Sequence, residues 1–95
     1  MQRITIKTLK AAALMLNNMT GNPVEAYKKS EGGKYTACIG NFHISQAYGG
    51  YSLHQMVTDG GGVTDIFSRG HITARELYEL IHAFRRGYDF NQQKG

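Results

Sequence analysis

The stretch Asn41-Phe42-His43-Ile44-Ser45-Gln46-Ala47-Tyr48-Gly49-Gly50-Tyr51-Ser52-Leu53-His54-Gln55-Met56 decides the fold. Phe42, Ile44 and Gln46 alternate with His43, Ser45 and Ala47, the period of two expected of a strand whose faces meet different surroundings. Gly49-Gly50 either breaks this run or closes a hairpin, with Tyr51 to Val57 as the returning strand. The absence of Lys, Arg, Asp and Glu extends beyond both ends of the stretch, from Tyr35 to Thr58. A charge-free segment so rich in rings, amides and glycine is either a half-buried sheet or a recognition surface, and alternation lets one strand serve both purposes.

Upstream, Val24 to Lys29 and Lys34 to Ile39 read as a hairpin around the turn Ser30-Glu31-Gly32-Gly33. Tyr35, Ala37 and Ile39 give its second strand an apolar face, with Thr36, Cys38 and Gly40 on the other. Gly40-Asn41 marks a bulge or turn before the next extended run. The pattern therefore predicts an antiparallel meander of three or four strands.

Helical spacing flanks this region. Ile6, Leu9, Ala13 and Leu16 form one stripe, widened by Ala12, Met15 and Met19. They predict a helix from Ile6 to Met19, capped by Thr5 and stopped by Gly21 and Pro23. Asp59-Gly60-Gly61-Gly62 opens a loop expected to extend to Gly70. Thr73 and Glu76 then form a capping box, with Ile72 and Leu77 as its staple. The helix from Ala74 to about Arg86 carries Leu77, Leu80, Ile81 and Phe84 on one face, with Gly87 as its expected stop. Tyr88 and Phe90 are expected to fold back onto the core, and residues 91–95 to fray. The resulting class is α+β in one domain, residues 1–95: N-terminal helix, antiparallel meander, C-terminal helix. Both helices cover one sheet face and leave the other open.

With 95 residues, 41% of them hydrophobic and ten aromatic, the chain closes one core and has no room for a cofactor domain beside a substrate domain. The net charge of +4 is divided, with +4 over residues 1–34, −2 over 35–68 and +2 over 69–95. The plainer interpretation is solvated charge that aids solubility; phosphate tracking requires the two basic ends to converge in space. The lone Cys38 excludes an internal disulfide and suits a reducing compartment, so a cytoplasmic location is expected. The apolar run Ala11 to Leu16 is too short for a signal-peptide core, and no stretch approaches membrane-spanning length.

Candidate chemistry is sparse. No pair among His43, His54, His71 and His82 has the close spacing of local metal ligands, so neither metal nor cofactor is expected. Cys38 with His43 or His54 would supply a thiol and a base, but no signature surrounds Cys38. Asp59 and Asp65 read as turn residues, and the Gly60 to Gly62 run lacks the following Lys-Ser or Lys-Thr of a phosphate-binding loop. No catalytic residue is assigned.

Thr20-Gly21-Asn22-Pro23, Ile39-Gly40-Asn41-Phe42-His43-Ile44, Ala47-Tyr48-Gly49-Gly50 and Gly60-Gly61-Gly62, followed by Ala74-Arg75-Glu76-Leu77-Tyr78, resemble segments of small uncharacterised proteins of tailed bacteriophages and prophages. That resemblance implies a cytoplasmic protein of an infected or lysogenic bacterium, but brings no site residues with it. A non-enzymatic role is then expected: binding a host protein or ribonucleoprotein complex and inhibiting a defence system such as a CRISPR effector. Phe42, Tyr48 and Tyr51 are the expected anchors, His43 and His54 the hydrogen-bonding rings, and Gly49, Gly50, Gly60, Gly61 and Gly62 the points of close backbone approach. The alternative is nucleic-acid binding, because helix, sheet, helix resembles the order of double-stranded-RNA-binding domains. Lys28, Lys29, Arg69, Arg75 and Arg85 are its expected contacts, although Thr73-Ala74-Arg75-Glu76 departs from the lysine cluster of that family. An exposed strand edge or the uncharged sheet face would also permit a homodimer.

Overall fold

The computed structural model describes residues 3–94, with side chains described through Asn91. The first helix, α1, spans Ile6–Thr20. Thr5 sits extended before it and its hydroxyl accepts from the Thr8 amide at 3.3 Å, while the Thr5 amide donates back to the Thr8 hydroxyl at 3.5 Å. Thr8 thus completes a reciprocal cap that Glu or Gln more often supplies. At the other end Gly21 adopts the left-handed conformation (φ 73°), and the Asn22 amide donates to the Asn17 carbonyl.

Among the described residues five strands follow, in two antiparallel sheets. β1 (Tyr27–Lys29) and β2 (Tyr35–Ala37) form a hairpin of their own. β3 (Phe42–Ala47), β4 (Gly50–Met56) and β5 (Val63–Asp65) form the meander. The expected continuous meander is thereby divided. Gly40 (φ 97°) turns the chain, donating to the Met56 carbonyl, and Asn41 donates to Cys38, so β2 leads out of its hairpin rather than into the sheet. The expected apolar face of β2 does not form either. Ala37 is buried, but Tyr35 is 68% exposed and Ile39 is also exposed, because the helices pack on β3 and β4 instead.

Two further expectations are corrected. The glycine-rich loop contains β5, since Thr64 pairs with Gln55 and recruits a third strand. The second helix, α2, runs from Ala74 to Lys94, straight through Gly87. A glycine stops a helix by going left-handed, and Gly87 is not among the residues of positive φ. Staying helical there costs about 1 kcal/mol relative to alanine, which one residue in a long helix tolerates. Tyr88 and Phe90 therefore continue the helix, with Phe90 exposed, rather than folding back. Asn91 also lies in α2, whereas Gly95, the end of the expected frayed tail, falls outside the described residues.

The core joins both ends of the chain to its middle. Leu9, Ala12, Ala13 and Leu16 of α1, Phe42 and Leu53 of the sheet, and Leu77 and Ile81 of α2 form one buried cluster. Phe84 meets the Phe42 and Phe67 rings edge-on at 6.1 and 6.2 Å. Buried Asn17 links helix to sheet: its Nδ2 donates to the Phe42 carbonyl at 2.9 Å, and its Oδ1 accepts from the Phe42 amide at 2.7 Å. The staple also forms, Leu77 being buried and Ile72 packed against the same cluster.

Candidate functional site

Register distributes the central residues between two faces. Phe42 pairs with Gln55, His43 with His54, Ile44 with Leu53 and Ser45 with Ser52. Phe42, Ile44, Tyr51 and Leu53 consequently point to the helices, and His43, Ser45, Ser52 and His54 to the other face. Phe42 is only 5% exposed and Tyr51 packs against the core, so neither stands on the surface as the anchor expected of it. The alternation that made them attractive as surface rings is the alternation that turns them inward.

The second face is only partly open, since Ser52 and Met56 are buried on it, and along it four rings form a row. His43 meets His54 at 5.9 Å between ring centroids, His54 meets His71 at 6.1 Å, and His71 meets Tyr48 at 5.9 Å, all edge-on. His71 is brought there by the bridge between Tyr51 and Ile72, whose amides and carbonyls exchange hydrogen bonds at 2.8 Å. Its Nε2 lies 3.1 Å from the Ser45 hydroxyl, and the His43 ring faces the Asn41 side chain at 3.3 Å. Burial, assisted by the neighbouring His54 ring, holds the His43 imidazole below its ordinary pKa and thus neutral.

Tyr48 ends the row. It and Gly49 are the two central residues of the β3–β4 turn, with φ of 53° and 74°, the signature of a type I′ hairpin. Asn-Gly is the preferred pair for that turn, since a tyrosine gains nothing locally from the left-handed conformation. Yet tyrosine occupies it, and Tyr48 is 99% exposed.

The glycines separate by what surrounds them. A Cβ on Gly49 would meet nothing within 4 Å, whereas one on Gly50 would lie 2.9 Å from the His71 backbone. Gly50 is buried, and the close approach it permits is to its own chain. Gly60 has open space around it, but a Cβ on Gly61 would meet the Tyr27 hydroxyl and one on Gly62 the Thr58 side chain. The Gly62 amide donates to the Thr58 hydroxyl at 2.7 Å, so this run shapes the β4–β5 turn.

Asp65 pairs with His54 in register, but its carboxylate belongs to the following turn. Oδ1 accepts from the Phe67 and Ser68 amides at 3.3 and 3.2 Å, and Oδ2 from Gly70 at 3.0 Å. Burial pushes its pKa up, but the hydrogen bond from Gly70, the Ser52 side chain and the bonds from Phe67 and Ser68 outweigh that and hold it below the ordinary value. The Ser52 hydroxyl has no partner at hydrogen-bond distance, so its influence on Asp65 is that of a nearby dipole. With its oxygens so engaged, Asp65 does not orient His71, and among the described residues the Ser45–His71 contact has no third group of the kind that makes such a pair an activated nucleophile. Among the described residues no three His, Cys, Asp or Glu side chains are grouped to hold a metal ion, and no helix is long and apolar enough to cross a membrane.

The basic residues are dispersed. Lys28 and Lys29 are exposed on β1, and the Lys29 ammonium lies 6.0 Å from the Tyr35 ring centre. Arg69 shares a shallow groove with Glu76 and Glu79, and Arg85 another with Asp89. Arg75 is exposed in the first turn of α2. His71 is not among the expected surface residues, because the bridge that places it joins Tyr51 to Ile72 across 21 positions of sequence. Comparison of the chain with protein-family models, with curated proteins and with solved structures returns no match.

Proposed function

We propose that this is a non-enzymatic, phage-type accessory protein. It binds a host protein or complex through the ring-bearing face of the β3–β4–β5 sheet, at the end that displays Tyr48, and a defence assembly such as a CRISPR effector is the kind of target that such binding would block. The observation that carries this reading is Tyr48: a ring displayed at 99% exposure, in a backbone conformation that favours asparagine or glycine. A departure from local preference at a fully exposed aromatic suits recognition, where tyrosine supplies large contact area at low entropic cost. His71, His54 and His43 extend the anchor into a row of hydrogen-bonding rings on a strand pair that carries no Lys, Arg, Asp or Glu, a composition matching the centre of protein interfaces, where charge is depleted.

Tyr48→Asn separates binding from folding, because asparagine suits the turn better than tyrosine does. In pull-downs from nuclease-treated bacterial lysate at physiological salt, the wild-type protein is expected to retain a specific partner that the variant loses, with both equally folded. Undiminished capture by the variant would remove the ring row from the interface. Capture abolished by the nuclease would favour nucleic acid as the partner.

A further inference from the structure

The free edge of β3 carries a second site. The Met56 amide donates to the Asn41 carbonyl, which makes Phe42–Gln55 a pair whose backbone groups point away from each other. Phe42, Ile44 and Gln46 therefore present their amides and carbonyls outward, at a repeat of about 6.8 Å. The Asn17 carboxamide satisfies the first of these positions in both directions, as the peptide group of an adjoining strand would. Ile44 and Gln46, next along the edge, have no backbone partner there among the described residues.

Beside this edge lies a groove of about 200 Å³ between α1 and the 24–26 segment, with Ala13, Leu14, Val24, Phe42 and Ile44 in its walls. Leu14 and Val24 are each about half exposed, leaving apolar surface for an entering side chain. Lys10 is the one Lys, Arg, Asp or Glu among the lining residues, and α1 contains Lys7 and Lys10 but no acid. Glu25 is exposed but does not line the groove.

We infer that this edge takes an extended segment of another protein as an added strand, continuing the pairing that Asn17 begins. Its groove-side residues, two apart in sequence, are apolar and acidic, the latter meeting Lys10. A second copy fits less well, because antiparallel pairing of two β3 edges brings together two α1 helices of like charge. The inference stands apart from the ring row, since Tyr48 contributes nothing to it.

The test titrates ¹⁵N-labelled protein with the capped peptide Ac-SVTETVS-NH₂ and with its counterpart carrying lysine in place of glutamate. The acidic peptide is expected to shift the Ile44 and Gln46 amide resonances and slow their hydrogen exchange, leaving the Phe42 amide, held by Asn17, little changed. Lys10→Glu, at an exposed helix position, should weaken the acidic peptide up to about fivefold and strengthen the basic one similarly. Tyr48→Asn should bind the peptide as the wild type does. Equal response to both peptides, no response at Ile44 and Gln46, or largest shifts at Tyr48 and His71 would each overturn the proposal. Protection of the Ile44 and Gln46 amides that rises with protein concentration alone would assign the edge to a second copy instead.

Discussion

Replacing Asn17 with alanine should be among the most damaging single changes outside the apolar core. Asn17 is buried, and its side chain makes two short hydrogen bonds to one peptide unit of β3. Truncation strands the Phe42 amide and carbonyl where water is excluded, at about 1–3 kcal/mol for each buried group left unpaired. The loss is thus about 2–6 kcal/mol, a large fraction of the roughly 5–15 kcal/mol that holds a domain of this kind. Each kcal/mol corresponds to about 4–8 °C for a chain of this length, so melting should fall by tens of degrees at the upper end. Urea titration followed by circular dichroism measures it, with the midpoint expected to fall at unchanged slope. Leu14→Ala, at a half-exposed site on the same helix, is the control and should cost far less. Asn17→Asp adds a signature: its carboxylate repels the Phe42 carbonyl, but once protonated it donates to it, so acidification should improve this variant relative to Asn17→Ala. A loss below about 1 kcal/mol for Asn17→Ala would mean that water or backbone adjustment replaces the amide pair, refuting the reasoning.

Gly50→Ala places a methyl group against the His71 and Ile72 backbone and should cost about 1–3 kcal/mol, whereas Gly60→Ala, with open space and no positive φ, should be nearly neutral in the same titration. Tyr48→Asn should melt at or slightly above the wild-type temperature, because relief of left-handed strain, about 1 kcal/mol, outweighs the lost edge contact with His71. Stability should also fall on acidification in two steps. The His43 pKa lies below 6.5, so the unfolded chain takes that proton first; the contribution is complete above 6.5 and lost as pH falls through the lower folded value. Asp65 is held below 3.8, so its contribution is present above that value and lost as pH falls through its folded pKa. Thermal melts across pH should lose the first step in His43→Gln and the second in Asp65→Asn.

Periodicity made much of this architecture legible. The stripe from Ile6 to Leu16, the cap at Thr5, the staple of Ile72 with Leu77 and the alternation from Phe42 to Gln46 all depend on local spacing, and these elements form. What spacing does not encode is which side of an alternating strand meets the helices. Phe42 and Tyr51 accordingly read as anchors, yet Phe42 is core and Tyr51 half-buried against it, while His43 and His54 lie across from each other on the opposite face. His71 joins them through a bridge between residues 21 positions apart, and Asn17 meets Phe42 across 25; neither pairing leaves a trace in local pattern. Gly87 fails in the opposite direction, because a glycine stops a helix only where the following chain turns away, and here it does not.

The single core cluster has a consequence for how the chain comes into being. Its members run from Leu9 to Ile81, and the two helices that cover Phe42 and Leu53 come from opposite ends of that span. A chain emerging from the ribosome can form the hairpins and α1 early and lay part of the α1 stripe on β3, but the core stays open on one side until Leu77 and Ile81 have been made. Closure of the core is therefore a late step that depends on bringing distant segments together. A fragment ending before α2 would leave Leu9, Leu16, Phe42 and Leu53 without Leu77 and Ile81 over them, so the last helix completes a core that every earlier element has only begun.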